Sequence, residues 1–247
     1  MSSESKIEWT EQTWNPTTGC TKISPGCKHC YAETMAVRLK AMGTPGYENG
    51  FELSLMKSRL GQPLSRKKPT VYFVNSMSDL FHEDIPDSFI EQVFDVIEKT
   101  PHHTYQILTK RADRLAEYFQ GSPVPQNVWL GVSVEDRMHG APRIDVLRQV
   151  DAKVRFLSIE PLLEDIGKIN LSGIHWVIVG GESGSKARPM QVKWVQSIQQ
   201  QCKKQGASFF FKQWGAWGSD GVKRNKQLNG RKLHGKVYND YPSVVAL

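Results

Sequence analysis

No apolar run in this chain of 247 residues approaches the roughly 18 residues needed to cross a bilayer, so no membrane span is expected. The first nine residues, MSSESKIEW, carry no apolar signal core, and a cytoplasmic protein is expected. Apolar residues make up 39% and charged residues 23%, which excludes a mainly disordered chain. The length suits one domain or at most two small ones. Acidic residues are scarce in two places. Residues 53–70 hold five basic side chains (Lys57, Arg59, Arg66, Lys67 and Lys68) and no acid. Residues 203–236 hold nine basic side chains against one acid, Asp220. The net charge of +7 is therefore local, and clustered basic charge is the footprint of a polyanion binder or a solvated basic face.

Cysteines are few, and their spacing is informative. Three of the four, Cys20, Cys27 and Cys30, fall within eleven residues as C-x6-C-x2-C. In a reducing compartment, clustered thiols read first as metal ligands. A closed structural zinc site wants four protein ligands. His29, between two of the cysteines, is too close to complete the same site. An iron–sulfur cluster with one iron left open suits three thiolates. Cys202 as a fourth ligand leaves zinc as the alternative.

Beyond the cysteines, helical and strand patterns alternate. Helices are expected over 31–42, after Pro86 at a first helical position, and over 111–119, 143–150 and 192–205. Phe89, Ile90, Val93, Phe94 and Ile97 repeat at helical spacing, as do Trp194, Ile198 and Cys202. Strands are expected over 70–76, 103–110, 127–134, 154–160, 175–181 and 208–214. With a short strand before Cys20 this makes about seven βα-like units. An α/β fold follows, a partial or nearly closed (β/α) barrel, with a doubly wound open sheet as the alternative. Either places a ligand site at the C-terminal strand ends.

Those ends are polar: Asn75-Ser-Met-Ser-Asp79, Thr109-Lys110, Ser133-Val-Glu135-Asp136, Ser158-Ile-Glu160 and Gly180-Gly-Glu-Ser183. Helix capping would explain any one of them. Five in register with a thiolate loop point to a binding rim. At the other end of the chain, Trp214-Gly-Ala-Trp217 precedes Lys223, Arg224, Lys226, Arg231 and Lys232. That mixture suits stacking on bases and pairing with phosphates, or packing of the tryptophans over the barrel end. Arg231-Lys-Leu-His-Gly-Lys236 reads as a hairpin turn.

Three cysteines on the loop after a first barrel strand resemble the radical S-adenosylmethionine enzymes. Their usual motif is C-x3-C-x2-C with an aromatic residue before the third cysteine. Here the first gap is six residues, His29 holds the aromatic place and Tyr31 follows. More closely, Trp14-Asn-Pro-Thr-Thr-Gly-Cys20, Cys27-Lys-His-Cys-Tyr31, Ser76-Met-Ser-Asp-Leu-Phe81, Leu108-Thr-Lys-Arg111, Gly131-Val-Ser-Val-Glu135, Ser158-Ile-Glu-Pro161 and Gly180-Gly-Glu-Ser183 resemble the phage and prophage three-cysteine-motif family of unassigned function. That match covers residues 8–217, with 218–247 as a basic C-terminal extension. A more distant similarity runs to the spore photoproduct lyases, through Ser76-Met-Ser-Asp79 and Thr109-Lys110. Their hydrogen-donor cysteine has no thiol counterpart near Ser76 and Met77.

The resemblance implies a [4Fe–4S] cluster on Cys20, Cys27 and Cys30. It implies S-adenosylmethionine chelated by the open iron and reductively cleaved to a 5′-deoxyadenosyl radical. It further implies that Lys110 pairs with the methionyl carboxylate and that the Asn75–Asp79 segment, with Ser76 and Ser78, receives the amine. Ser133 and Glu135 would hold the ribose, with His29 and Tyr31 beside adenine. Thr109, Ser158, Glu160, Gly180, Gly181 and Glu182 complete the implied rim. A nucleic acid or nucleotide substrate and an electron donor such as flavodoxin or ferredoxin follow. The contrasting class is a zinc-bearing nucleic-acid-binding module without catalysis.

Overall fold

Seven strands lie in one sheet in the order of the chain: β1 (Gln12–Trp14), β4 (Val71–Val74), β5 (Thr104–Thr109), β6 (Val128–Ser133), β7 (Val154–Ile159), β8 (Trp176–Gly180) and β9 (Ser208–Gln213). The registers of β1 with β4, β4 with β5, β7 with β8 and β8 with β9 are parallel. The order never reverses. A doubly wound sheet needs a reversal, so the fold is of the partial (β/α)-barrel type. A separate antiparallel pair, β2 (Thr17–Thr18) and β3 (Ser54–Leu55), was not legible in the sequence. The computed structural model describes Ser5 and residues 7–243. Most of the N-terminal stretch read for a signal core, and the last four residues of the basic extension, lie outside the described residues.

The strands form because their residues suit burial on both faces. Every residue of β6 and of β8 is buried, as parallel strands covered on both sides require. Between them run α1 (Tyr31–Ala41), α2 (Asp87–Glu98), α3 (Ala112–Tyr118), α4 (Pro142–Arg148) and α5 (Val192–Gln205). In α2, Phe89, Ile90, Val93, Phe94 and Ile97 are all buried, each burial stabilising by about 1.5–3 kcal/mol. Pro86 stands at the N-cap of α2 in extended conformation, one residue earlier than the expected first helical position. On α5 the buried face is Val195, Ile198 and Cys202, with Trp194 only half-buried. That helix stops at Gly206, whose φ of 78° is the left-handed cap glycine tolerates best. No helix among the described residues is long and apolar enough to cross a membrane.

The chain divides into two compact units, with the boundary inside β6. The first comprises Met1–Ile23, Cys30–Leu130 and Val150–Lys153; the second comprises Ser24–His29, Gly131–Gln149 and Val154–Leu247. In the second unit, residues beyond β9 include the short α6 (Lys226–Asn229) and a bridge between Leu233 and Lys236. His234 and Gly235 between them both have positive φ, which makes the expected hairpin turn a two-residue one.

Candidate functional site

In the first unit, Cys20 is fixed by backbone pairing. Gly19 bridges to Ser78 in parallel fashion, its N–H donating to Met77 O at 3.0 Å, while Cys20 N donates to Phe51 O at 3.2 Å. Gly19 has φ 80°, and a Cβ there would lie 2.1 Å from Glu52 O, so only glycine fits before this cysteine. Cys30 packs on a small cluster of Ala32, Ala36, Tyr47 and Met77. Cys20, Thr21, Glu33, Phe51, His82 and Asp84 help line a cavity of about 400 Å³.

The ends of β4 and β5 meet this loop through Asp79, which is buried. Asp79 Oδ1 accepts from Thr109 Oγ1 at 2.7 Å and from Phe81 N at 3.1 Å. Its Oδ2 accepts from Lys110 N at 3.0 Å and Arg111 Nη1 at 3.3 Å. Arg111 then reaches Cys20 Sγ at 3.6 Å, Thr21 Oγ1 at 2.8 Å and Glu83 Oε2 at 2.5 Å. The Arg111 hydrogen bond holds the Glu83 carboxyl down at about 2. Burial pushes the fully buried His82 below the usual imidazole range, and the Arg111 charge adds to it. His82 Nδ1 accepts from Asp84 N at 3.1 Å, so Nε2 carries the proton and donates to Thr21 Oγ1 at 2.9 Å.

Asn75 ends β4 with φ 58°, a left-handed conformation that asparagine adopts more readily than most residues. Its Oδ1 accepts from Thr17 N at 3.4 Å. Its Nδ2 is buried and, among the described residues, has no partner. Ser76 Oγ donates to Asn15 Oδ1 at 3.1 Å, and Ser78 Oγ shares a 2.6 Å bond with Thr17 Oγ1. The Tyr31 hydroxyl donates to Ser76 O, leaving its ring largely exposed.

In the second unit the loop bearing Cys27 is anchored separately. Ser24 Oγ donates to Glu135 Oε1 and lies 3.7 Å from Cys27 Sγ. Glu135, implied as a ribose contact, is fully buried, and its Oε2 accepts from Arg143 Nη1 at 2.7 Å. Both oxygens are thus occupied within the protein, and Arg143 also donates to Ser133 O at 2.7 Å. Arg188 grips Glu182 at both oxygens, at 2.6 Å and 2.9 Å, and donates to Pro25 O at 3.0 Å. Burial alone would raise the Glu182 carboxyl; the Arg188 bonds outweigh it and lower it, with the half-buried His29 adding to the effect. Ser158 is buried, its carbonyl accepting from Val134 N at 2.9 Å. Glu160 pairs with Lys212 at 3.0 Å, and Gly180 lies against Glu160. Gly181 is required by packing: a Cβ there would stand 2.0 Å from Trp214 O.

Arg111, Arg143, Arg188, His82 and Asn15 escaped the sequence reading as site residues. Only Arg111 and Asn15 carried a signal, within Leu108-Thr-Lys-Arg111 and Trp14-Asn-Pro-Thr-Thr-Gly-Cys20. No cysteine is in a disulfide, and Cys202 is fully buried, burial pushing its thiol up to about 12. Among the described residues no three His, Cys, Asp or Glu side chains stand together as a metal-holding group.

No curated protein matches the chain. Solved structures of spore photoproduct lyase are distantly similar. The complex with dinucleoside spore photoproduct has a TM-score of 0.46 at 13% identity, covering 83% of this chain and 64% of the lyase. A double variant with bound AdoMet and dinucleoside spore photoproduct has 0.44 at 13%, with the same coverage. A tyrosine-to-phenylalanine variant has 0.47 at 14%, covering 97% of this chain and 72% of the lyase. The chain thus spans less than two thirds of the lyase chain in the complexes, and likenesses this distant concern the fold alone. The model of the family described as protein of unknown function (DUF5131) matches residues 4–242, and the chain belongs to that family.

Proposed function

We propose that the chain is an iron–sulfur enzyme of the radical S-adenosylmethionine type, with Cys20, Cys27 and Cys30 as cluster ligands. The observation that supports this best is the Asp79–Arg111–Cys20 chain of contacts, which ties the first cysteine to the ends of β4 and β5. Strand C-termini are where folds wound in one direction carry their ligand sites. The donor set suits the cluster. Three half-buried thiols are soft ligands, and Cys202 belongs to the buried apolar face of α5 with Val195 and Ile198.

Bound there, the cluster supplies the one electron that reductive cleavage of S-adenosylmethionine requires, drawn from a donor such as flavodoxin or ferredoxin. The chain's own residues bind and orient. The Asn75–Asp79 segment receives the methionyl amine through its oxygens, while Asn75 Nδ2, a buried donor without a partner among the described residues, suits the methionyl carboxylate alongside the Lys110 ammonium. Glu135 and Arg188 act as anchors of the Cys27 loop. A nucleic acid or nucleotide substrate is drawn by the basic residues of 203–236.

Anaerobic reconstitution with iron and sulfide tests the reading. A brown, iron- and sulfide-bearing protein is expected, forming 5′-deoxyadenosine when S-adenosylmethionine and dithionite are added. Cys20→Ala, Cys27→Ala and Cys30→Ala should each abolish the cluster absorbance, and Cys202→Ala should retain it. Colourless protein carrying zinc, with Cys202→Ala losing metal, would establish the zinc-bearing module instead.

A further inference from the structure

We infer that Arg111 is a positioning residue for the cluster: its guanidinium holds Cys20 Sγ by an N–H···S hydrogen bond and thereby sets the reduction potential of a cluster bound there. This rests on the iron–sulfur reading above and goes beyond it, since the resemblance assigns Arg111 no role.

The geometry carries the inference. The Arg111 side chain is only 8% exposed, and each nitrogen of its fork has a partner. Nε donates to Glu83 Oε2 at 2.5 Å, and Nη2 donates to Thr21 Oγ1 at 2.8 Å. Nη1 lies between Asp79 Oδ2 at 3.3 Å and Cys20 Sγ at 3.6 Å. The backbone is fixed as well, Arg111 N donating to Thr109 Oγ1 at 2.9 Å. A planar, permanently charged fork can meet two carboxylates, a hydroxyl and a sulfur at once; a lysine ammonium is a point charge and cannot. Two carboxylates hold the head, Glu83 at Nε and Asp79 at Nη1, so the sulfur receives a donor that does not swing away. Hydrogen bonds to cluster sulfurs and nearby positive charge favour the reduced, more negative cluster and raise its potential. Without Arg111, Asp79 and Glu83 would face the sulfur uncompensated, which works in the opposite direction.

The experiment compares reconstituted wild type, Arg111→Gln and Arg111→Lys. Iron and sulfide are measured per chain, and the midpoint potential is read by redox titration followed by electron paramagnetic resonance. Arg111→Gln is expected to load a cluster with a more negative midpoint. Arg111→Lys, which keeps the charge and loses the fork, should lie between it and wild type. A loaded Arg111→Gln with the wild-type midpoint overturns the inference and leaves the iron–sulfur reading standing. If Arg111→Gln fails to load, a wild-type midpoint in Arg111→Lys overturns the inference equally. Wild type that takes up no iron and sulfide overturns both.

Discussion

Asp79 and Glu83 act as a pair of carboxylates around one guanidinium, and the pairing has a pH signature. Glu83 titrates at about 2 in the folded chain against 4.5 without partners, the Arg111 hydrogen bond being the largest cause. A depressed carboxylate contributes stability that is fully present above pH 4.5 and is lost as pH falls toward 2. The Glu83 side chain is 55% exposed, so solvent screening keeps the contribution small. His82 adds an earlier loss, beginning below its ordinary value of 6.5, because burial favours its neutral form. Glu83→Gln should therefore flatten the stability profile between pH 4.5 and 2 and leave the decline that starts near 6.5. Urea midpoints across that range, compared with wild type, check it; parallel profiles would refute it. Asp79, Thr109 and Lys110 were legible as polar residues following apolar runs. The role of Arg111 was not, because its partners Glu83 and Thr21 lie 28 and 90 residues away along the chain.

At the level of elements, the alternative explanation for the polar strand ends was helix capping, and the helices do not use them so. None of α1 to α5 has a side-chain cap; only Asn225, at α6, caps with its side chain, accepting from Gln227 N. Instead, Asp79 bonds to Thr109 and Glu135 accepts from Ser24 of the cysteine loop, while Asp136 accepts from His139 N and Gly140 N in the turn before α4, and Glu160 and Glu182 pair with Lys212 and Arg188. The β8–β9 pair shows how an irregularity re-aims a residue. The register shifts between Val179 and Gly180, so Gly180 pairs with Gln213, and the extra residue, Lys212, reaches Glu160. Immediately beyond, Gly181 admits the Trp214 backbone, and no side-chain rotation relieves a Cβ placed 2.0 Å from a carbonyl oxygen. Gly181→Ala should lower stability by about 1–3 kcal/mol, since overpacking forces the backbone to move. A denaturant midpoint equal to that of wild type would show that the two segments can part without cost.

Over the whole molecule, the net charge of +7 survives into the structure more selectively than the sequence suggests. Arg224 is paired with Asp220 at 2.6 Å, and Lys212 with Glu160. Trp214 is buried and donates to Lys232 O at 2.9 Å, so it packs and offers no face to a base. Trp217 is half-buried, with its N–H on Ala187 O and Lys223 over its ring. On the proposed nucleic-acid reading, exposed lysines would hold the polyanion mainly by phosphate pairing, and of the two tryptophans only Trp217 keeps an accessible ring. Binding of single-stranded nucleic acid should weaken steeply with salt. Replacing Lys226, Lys232 and Lys236 together by Gln should reduce the log–log slope by up to about 0.7–0.9 per lost phosphate contact. Fluorescence anisotropy across a salt series measures this, and an unchanged slope would remove these lysines from the interface.

Local pattern determined what local physics controls. Apolar runs marked six of the seven strands of the main sheet, β1 having been expected only as a short strand before Cys20, and the 3.6-residue period marked α2 and α5, because burial of one face is written in neighbouring residues. The cysteine spacing and the basic stretches were equally plain. Strand order was decided only in three dimensions, since parallel pairing joins segments that no local signal connects. The same holds for the β2–β3 pair, whose two-residue strands are too short to carry a period. It holds above all for the arginines. A guanidinium's function is set by which carboxylates and sulfurs its fork meets, and those contacts, from Arg111 to Cys20 and from Arg188 to Pro25, span 91 and 163 residues of sequence.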